Sequence, residues 1–293
     1  GEGPETILLN AHIDTVKPSP SYTRDPFGGE YDGQTIYGLG ANDDGGSVIA
    51  MLAVFMDIMH QPIPDKRIVL ALTAEEENSG RKGIELLLPE IGPIDYAIVG
   101  EPTGMKAATA ERGLLVIDGV AEGVSGHAAR NEGVNALYIA LEDIAAIREH
   151  KFEKISPKMG KVNVNVTQIN AGCAHNVVPD SCTFVIDIRP TEQYTNEEIF
   201  NELQSICRSR LTPRNLSNRS SATCEDSRLS ATAEELGIGT FSSPTTSDWM
   251  RISCDAVKMG PGDSARSHKK NEYVTCSEIE NAISTYIRFI ENL

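Results

Sequence analysis

The sequence predicts an α/β fold, a mixed central sheet flanked by helices, with a second, α+β layer inserted into it. Three observations predict this. The apolar run at residues 68–72 is continuous, β-branched, short and bounded by charge and glycine, as in a strand buried on both faces, and residues 6–11 read as a second, central strand. Segments suited to helices alternate with such runs, giving strand-loop-helix units. Within residues 109–222 the pattern changes to alternating strands with amphipathic helices, which divides the chain into residues 1–108 with 223–293 and an insertion at 109–222.

Residues 6–11 read as a central strand that delivers His12-Ile13-Asp14-Thr15 at its end. Strand side chains alternate, so His12 and Asp14 share a face, and a carboxylate there sets the tautomer and basicity of a metal-binding imidazole. The glycine-rich loop at residues 37–46 feeds an apolar helix at 47–60. It lacks both the GxGxxG spacing and the Lys-Ser/Thr of a phosphate loop, and its Asp43 and Asp44 repel phosphate but suit a cation. The strand at 68–72 ends in Thr73-Ala74-Glu75-Glu76-Glu77, with a helix expected at 81–88. Three carboxylates at one strand end are costly unless a cation sits among them or one holds a proton. Residues 94–100 form a further strand ending at Glu101, and residues 255–260 repeat the pattern before a loop that leads to His268. The crevice beyond the carboxyl ends of such strands is where open α/β sheets bind ligands. The closing helix at 275–293 carries a capping box, Thr275 with Glu278, and an apolar stripe of Ile279, Ile283, Tyr286, Ile287 and Ile290.

In the insertion, strands are expected at 113–123, 161–170 and 181–190 and helices at 135–150 and 197–208, the second helix capped by Thr195 with Glu198. A strand-helix-strand-strand-helix-strand order follows, with the last strand not placed within the polar stretch 213–227.

A net charge of −16 opposes nucleic-acid and anionic-membrane partners and leaves a small substrate or a metal cation as the simpler partner. Six cysteines without a CxxC pair indicate neither a zinc ribbon nor a disulfide framework, and fit a reducing cytoplasm. No apolar run reaches membrane-spanning length and no signal peptide is visible.

Together His12, Asp43, Glu77, Glu101 and His268 supply two imidazoles and three carboxylates. That set suits a pair of zinc-like ions, each with one histidine and one terminal carboxylate, sharing a bridging carboxylate. The sequence here resembles the M20 metallopeptidase family, in its acetylornithine deacetylase and succinyl-diaminopimelate desuccinylase branch. The resemblance rests on His12-Ile13-Asp14-Thr15-Val16, Gly38-Leu39-Gly40-Ala41-Asn42-Asp43, Thr73-Ala74-Glu75-Glu76-Glu77, Val99-Gly100-Glu101-Pro102-Thr103, Ser125-Gly126-His127, Asn176-Val177-Val178-Pro179 and His268-x-x-Asn271-Glu272.

The resemblance implies a zinc-peptidase-like catalytic domain and a ferredoxin-like insertion that serves as lid and homodimer interface. It implies that His12 and Glu101 hold one zinc ion, Glu77 and His268 a second, and Asp43 bridges them, with cobalt able to substitute. Asp14 would orient His12, and Glu76 would be the general base. His127 would reach the opposite subunit's site to stabilise the oxyanion. Arg189 would contact a substrate carboxylate and Asn176 would lie near the scissile carbonyl. Asp44-Gly45-Gly46 departs from the commoner Met-Lys-Gly, and Glu75 replaces an aspartate. The family's N-terminal helical segment has no counterpart in this sequence, which implies an upstream segment outside it. The implied activity is removal of an acetyl or succinyl group from a small N-acyl amino acid, as in arginine biosynthesis. Desuccinylase, N-acylcitrulline deacylase and dipeptidase are the near alternatives. A non-catalytic dimeric binding module is the distant one, and Glu76 argues against it.

Overall fold

The computed structural model of the chain describes residues 1, 3–130 and 132–293. The first apolar run forms β1 (Glu5–His12), followed by α1 (Gly46–His60), β2 (Lys66–Thr73), α2 (Ile84–Ile91), β3 (Tyr96–Val99) and β4 (Ala107–Glu111). Next come β5 (Leu115–Glu122), α3 (Ala136–Glu149), β6 (Asn163–Ala171), β7 (Ser181–Arg189), α4 (Asn196–Ile206) and β8 (Arg210–Pro213). The chain closes with α5 (Arg228–Glu235), β9 (Thr240–Ser243), β10 (Asp255–Lys258) and α6 (Cys276–Asn292). Two compact units result: Gly1–Glu111, Ala222–Ser243 and Ser247–Leu293 form one, and Arg112–Ser221 with Pro244–Thr246 the other.

In the first unit β1 lies between β2 and β3 and pairs in parallel with both. β10 continues the parallel order beside β3, but its pairing with β4 is antiparallel, which makes the sheet mixed. Every residue of β1 after Glu5 is buried, because both faces of the sheet are covered. Ile7, Leu9 and Ala11 pack with Met51 and Val54 of α1 and with Tyr286 and Phe289 of α6, while Leu8 faces Ala97, Trp249 and Ile252. Each such aliphatic side chain contributes roughly 1.5–3 kcal/mol when fully removed from water. α6 begins with the expected capping box, Glu278 N–H donating to Thr275 Oγ1 and Thr275 N–H to Glu278 Oε2. Its Tyr286 hydroxyl donates to the Met259 carbonyl at 2.6 Å, tying the helix to the end of β10.

Two expectations are corrected. β2 is parallel as expected, but among the described residues it is the outermost strand, paired with β1, so Val69 and Leu70 are half-buried where full burial was expected. The helix expected at 81–88 starts three residues later, at Ile84. Glu75 and Ser79 hold left-handed φ values of 66° and 54°, and the Glu75 carboxylate accepts the Lys82 N–H at 2.9 Å, so these residues are spent on a turn that aims the acidic stretch.

In the second unit the four strands form an antiparallel sheet in the order β8-β5-β7-β6, which supplies the unplaced last strand as β8. Leu115, Ile117 and Ala121 of β5 and Phe184, Ile186 and Ile188 of β7 alternate onto a core shared with α3 and α4. Gly119 is required by that packing: a Cβ there would stand 2.3 Å from the Phe184 ring. β6 is the other edge strand, and its second half is exposed. Among the described residues no helix is long and apolar enough to cross a membrane.

Candidate metal centre

Five segments of the first unit converge beyond the carboxyl ends of its strands. β1 ends on His12, β2 leads into Glu76 and Glu77, β3 into Glu101, and β10 into the loop that carries His268. The fifth is the turn Ala41–Gly45, which carries Asp43. Asp43 stands in the middle. Its Oδ1 lies 3.1 Å from His12 Nε2 and its Oδ2 lies 3.8 Å from His268 Nε2. His268 Nε2 is also 3.2 Å from the Glu77 carboxylate. The donor atoms of His12, Asp43 and Glu101 lie within 4.8 Å of one another, as do those of Asp43, Glu77 and His268. The structure therefore gathers all five expected ligands into two triads that share one carboxylate.

His12 presents Nε2 to Asp43 because its Nδ1 is engaged behind. Nδ1–H donates to the Asp14 backbone carbonyl at 3.0 Å, with the Asp14 carboxylate 3.5 Å away. That carboxylate mainly accepts the backbone N–H groups of Glu76 and Glu77, at 3.3 and 3.2 Å. Asp14 thus links the ends of β1 and β2, a connection that the alternation argument did not contain.

The electrostatics are those of a site built for positive charge. Burial raises Glu76 from its ordinary 4.5 to about 8, His12 opposes this, and Asp248, Glu77 and Asp43 reinforce it. Glu101 is pushed well above the carboxylate range by burial and by Asp43, against the charge of Lys258. Glu77 is raised by burial and Asp43. Burial also works against ionised Asp43, but its bond to His12 prevails and holds it below the ordinary value. Burial would lower His12 as well, yet Asp43, Asp44, Glu101 and Glu76 carry it up to about 12. Clustered imidazoles and carboxylates with this excess of acid fit divalent cations of the zinc type, which take mixed nitrogen and oxygen donors.

Several residues around the centre carry functions that their sequence context hides. Glu272 is 2% exposed and accepts three backbone N–H groups of the turn that carries Asp43. Asp44, in the same turn, is buried, and burial raises its carboxyl to about 8. Asp248, raised by burial to about 6, accepts the Thr73 hydroxyl at 3.1 Å. Lys258 forms a fully buried ion pair with Glu111 at 3.1 Å, and Ser247 donates to the same Glu111 oxygen at 2.7 Å. The quoted motif containing Glu272 was the one available signal, because buried charges look like solvated ones in a sequence.

The three residues expected from the insertion stand in the second unit. His127 is exposed on a short ribbon, Gly126–His127 pairing with Val177–Val178, beside Asn176, whose carbonyl accepts the Ala128 N–H at 3.1 Å. His127 Nδ1 accepts the Ala129 N–H at 3.2 Å, so the neutral ring carries its proton on Nε2. Arg189 is half-buried and forks onto Asp187 through Nε at 2.9 Å and Nη2 at 3.2 Å.

The chain is 29% identical to an acetylornithine deacetylase of Myxococcus xanthus, over 95% of this chain and 78% of that protein. It is 27% identical to a succinyl-diaminopimelate desuccinylase of Cereibacter sphaeroides, over 98% of this chain and 83% of that one. Among solved structures it resembles the Bacillus subtilis YXEP protein, described as a dinuclear metal-binding peptidase of the M20 family, with a TM-score of 0.70 and 14% identity over 99% of this chain and 82% of that one. The profile of Peptidase family M20/M25/M40 matches residues 8–292, and the chain belongs to that family.

Proposed function

We propose that the chain is a two-metal amidohydrolase that removes an acetyl or succinyl group from the nitrogen of a small amino acid, acetylornithine being the leading substrate. The observation that carries this reading is the placement of Asp43, whose two oxygens face His12 and His268 separately. His12 and Glu101 would hold one ion, Glu77 and His268 the other, and Asp43 both. Bound zinc, or cobalt in its place, would supply Lewis acidity to the scissile carbonyl and to water. Glu76 accepts a proton from water as its oxygen attacks the carbonyl carbon, and returns it to the amine nitrogen as the C–N bond breaks. Cations held by the two triads would favour ionised Glu76 and lower its pKa from about 8. Asp14 fixes the backbone on which Glu76 rides.

Homologues named for acetylated and succinylated amino acids support the substrate class. The insertion would dimerise and close over the site, placing His127 Nε2–H against the developing oxyanion, Asn176 beside the carbonyl and Arg189 on a substrate carboxylate. Tyr138 and Leu141 on α3 and Ile169 on the β6 edge support a dimer face, being large, apolar and exposed. The test measures acetate and succinate released from N-acetylornithine, N-acetylcitrulline and N-succinyl-diaminopimelate, with a dipeptide alongside, before and after chelation and zinc or cobalt return. Metal-dependent release of acetate is expected. Activity on none of the four with both metals bound overturns the reading.

A further inference from the structure

Two loops carry two of the three ligands of the second triad, Glu77 following the end of β2. One is the turn Ala41–Gly45, with Asp43; the other is the segment between Asp263 and Glu272, with His268. Neither is a regular strand or long helix, so an ion placed between them depends on what holds the loops in register.

The bonds that do so are explicit. Glu272 Oε1 accepts the N–H groups of Asn42 and Asp43 at 3.0 and 2.9 Å, and its Oε2 accepts Gly40 N–H at 3.1 Å. The Gly38 N–H donates to the Glu272 carbonyl at 3.0 Å. From the other side, the Asn42 side chain donates to the Asp263 carbonyl at 3.1 Å and accepts the Asp263 N–H at 2.9 Å. Gly40 holds φ 74°, and a Cβ there would meet Thr15 Cγ2 at 2.1 Å, so the turn has little freedom to find another shape. His268 and Asn271 hold left-handed φ values of 60° and 55°, which non-glycine residues keep only when surrounding bonds over-determine them. Asn271 supplies some of these: its Oδ1 accepts the N–H groups of Thr23 and Arg24 at 3.0 and 3.1 Å.

From this geometry we infer that Glu272 is the positioning residue of the second metal site, with Asn42 as its counterpart, and that together they set the separation of Asp43 from His268. The inference rests on the two-metal reading above. Glu272 touches no donor atom of the triads; it grips the backbone N–H of Asp43, while His12 and Glu101 are carried by strand ends outside the staple. Losing it therefore loosens the second triad, which takes both Asp43 and His268 from the stapled loops, more than the first, which takes Asp43 alone from them.

The experiment titrates chelator-stripped protein with zinc against a fluorescent competitor, for the wild type, Glu272→Gln and Asn42→Ala, with circular dichroism and thermal unfolding on each. Glu272→Gln keeps one acceptor but turns an amide N–H₂ against a backbone donor. The expected result is a second ion weakened about 10–100-fold, the range for outer-shell partners of metal ligands, and a first ion, which shares Asp43 alone with the stapled loops, weakened clearly less. Asn42→Ala is expected to weaken the second ion in the same selective way, which keeps the test alive if Glu272→Gln fails to fold. Equal weakening of both ions, or no change in either, overturns the assignment. A wild-type chain that binds fewer than two ions fails the two-metal reading itself, which distinguishes that failure from this one.

Discussion

Asp14 Oδ2 accepts the backbone N–H of Glu77 at 3.2 Å, across the gap between the ends of β1 and β2. The same residue receives the Nδ1–H of His12 on its own carbonyl. One aspartate therefore sets the relative position of a proposed ligand on each of two strands, with Glu76 held between them by a second N–H. Asp14→Ala is predicted to reduce metal affinity or turnover by about 10–100-fold, as for other partners that orient metal ligands. Asp14→Asn keeps one acceptor oxygen and should lose less. Metal content and kcat measured on both variants check this; an unchanged Asp14→Ala protein argues that the strand ends hold without it.

Glu76 is close to the ligands but belongs to neither triad. Glu76→Gln conserves its shape and removes its basicity, so metal content should stay near two ions while kcat falls by about 10²–10⁴. Elemental analysis and steady-state kinetics on one preparation decide it. A protein stripped of metal would make Glu76 a ligand, and a near-normal kcat would make it a bystander.

The raised carboxyls make the metal-depleted chain sensitive to alkali. Burial lifts Glu76 from 4.5 to about 8 and Asp248 from 3.8 to about 6. A raised group binds its proton more tightly folded than unfolded, so its contribution is complete below the unfolded value and lost as pH rises through the folded one. His12, raised from 6.5 to about 12, changes in the same direction at higher pH. Asp43, which is lowered, acts only when pH falls below its ordinary 3.8. The Tm of chelated protein should therefore fall steadily as pH is raised from about 4.5 to about 8, and bound divalent cations should flatten that slope. Calorimetry across this range with and without chelator is the check, and a level Tm in the chelated series counts against these shifts.

Lys258 and Glu111 bury opposite charges with side chains 2% and 0% exposed. Glu111 and Glu101 keep the lysine charged against the pull of burial. Replacing one member leaves a buried charge without its counter-ion, so Lys258→Met should cost about 3–5 kcal/mol in urea unfolding, and Lys258→Met with Glu111→Leu should recover most of it. A double variant as weak as the single one would assign the loss to packing.

What could be read from the sequence follows from where each residue sits. β1 and its terminal His12 were legible because a strand buried on both faces is largely apolar, and α6 because its capping box and stripe are local. The start of α2 was not, since two non-glycine residues at positive φ leave no compositional trace. The five proposed ligands were legible as chemistry that ends strands or fills a glycine-rich turn. The burial of Glu272, Lys258, Glu111 and Asp248 was not, because only the fold decides whether a charge faces water or a buried partner far along the chain. Glu272 and Asp43 are separated by 229 positions.

His127 supports the last prediction. It is exposed on its ribbon, and its Nδ1 is occupied by the Ala129 N–H, so the ring offers an Nε2–H donor outward. A tetrahedral intermediate needs such a donor opposite the cations. If His127 supplies it to the partner subunit's site, then Glu76→Gln and His127→Ala, each dimeric and inactive alone, complement one another. In a mixed dimer one site joins an intact base to an intact histidine and the other has neither. Random exchange of equal amounts makes half the dimers mixed, so about a quarter of wild-type activity should return, as two-fold symmetry requires. Should His127 serve its own chain, every site in the mixed dimer keeps one defect and nothing returns. Native mass spectrometry measures the mixed fraction. Abundant mixed dimers with parental activity would rule out action across the interface.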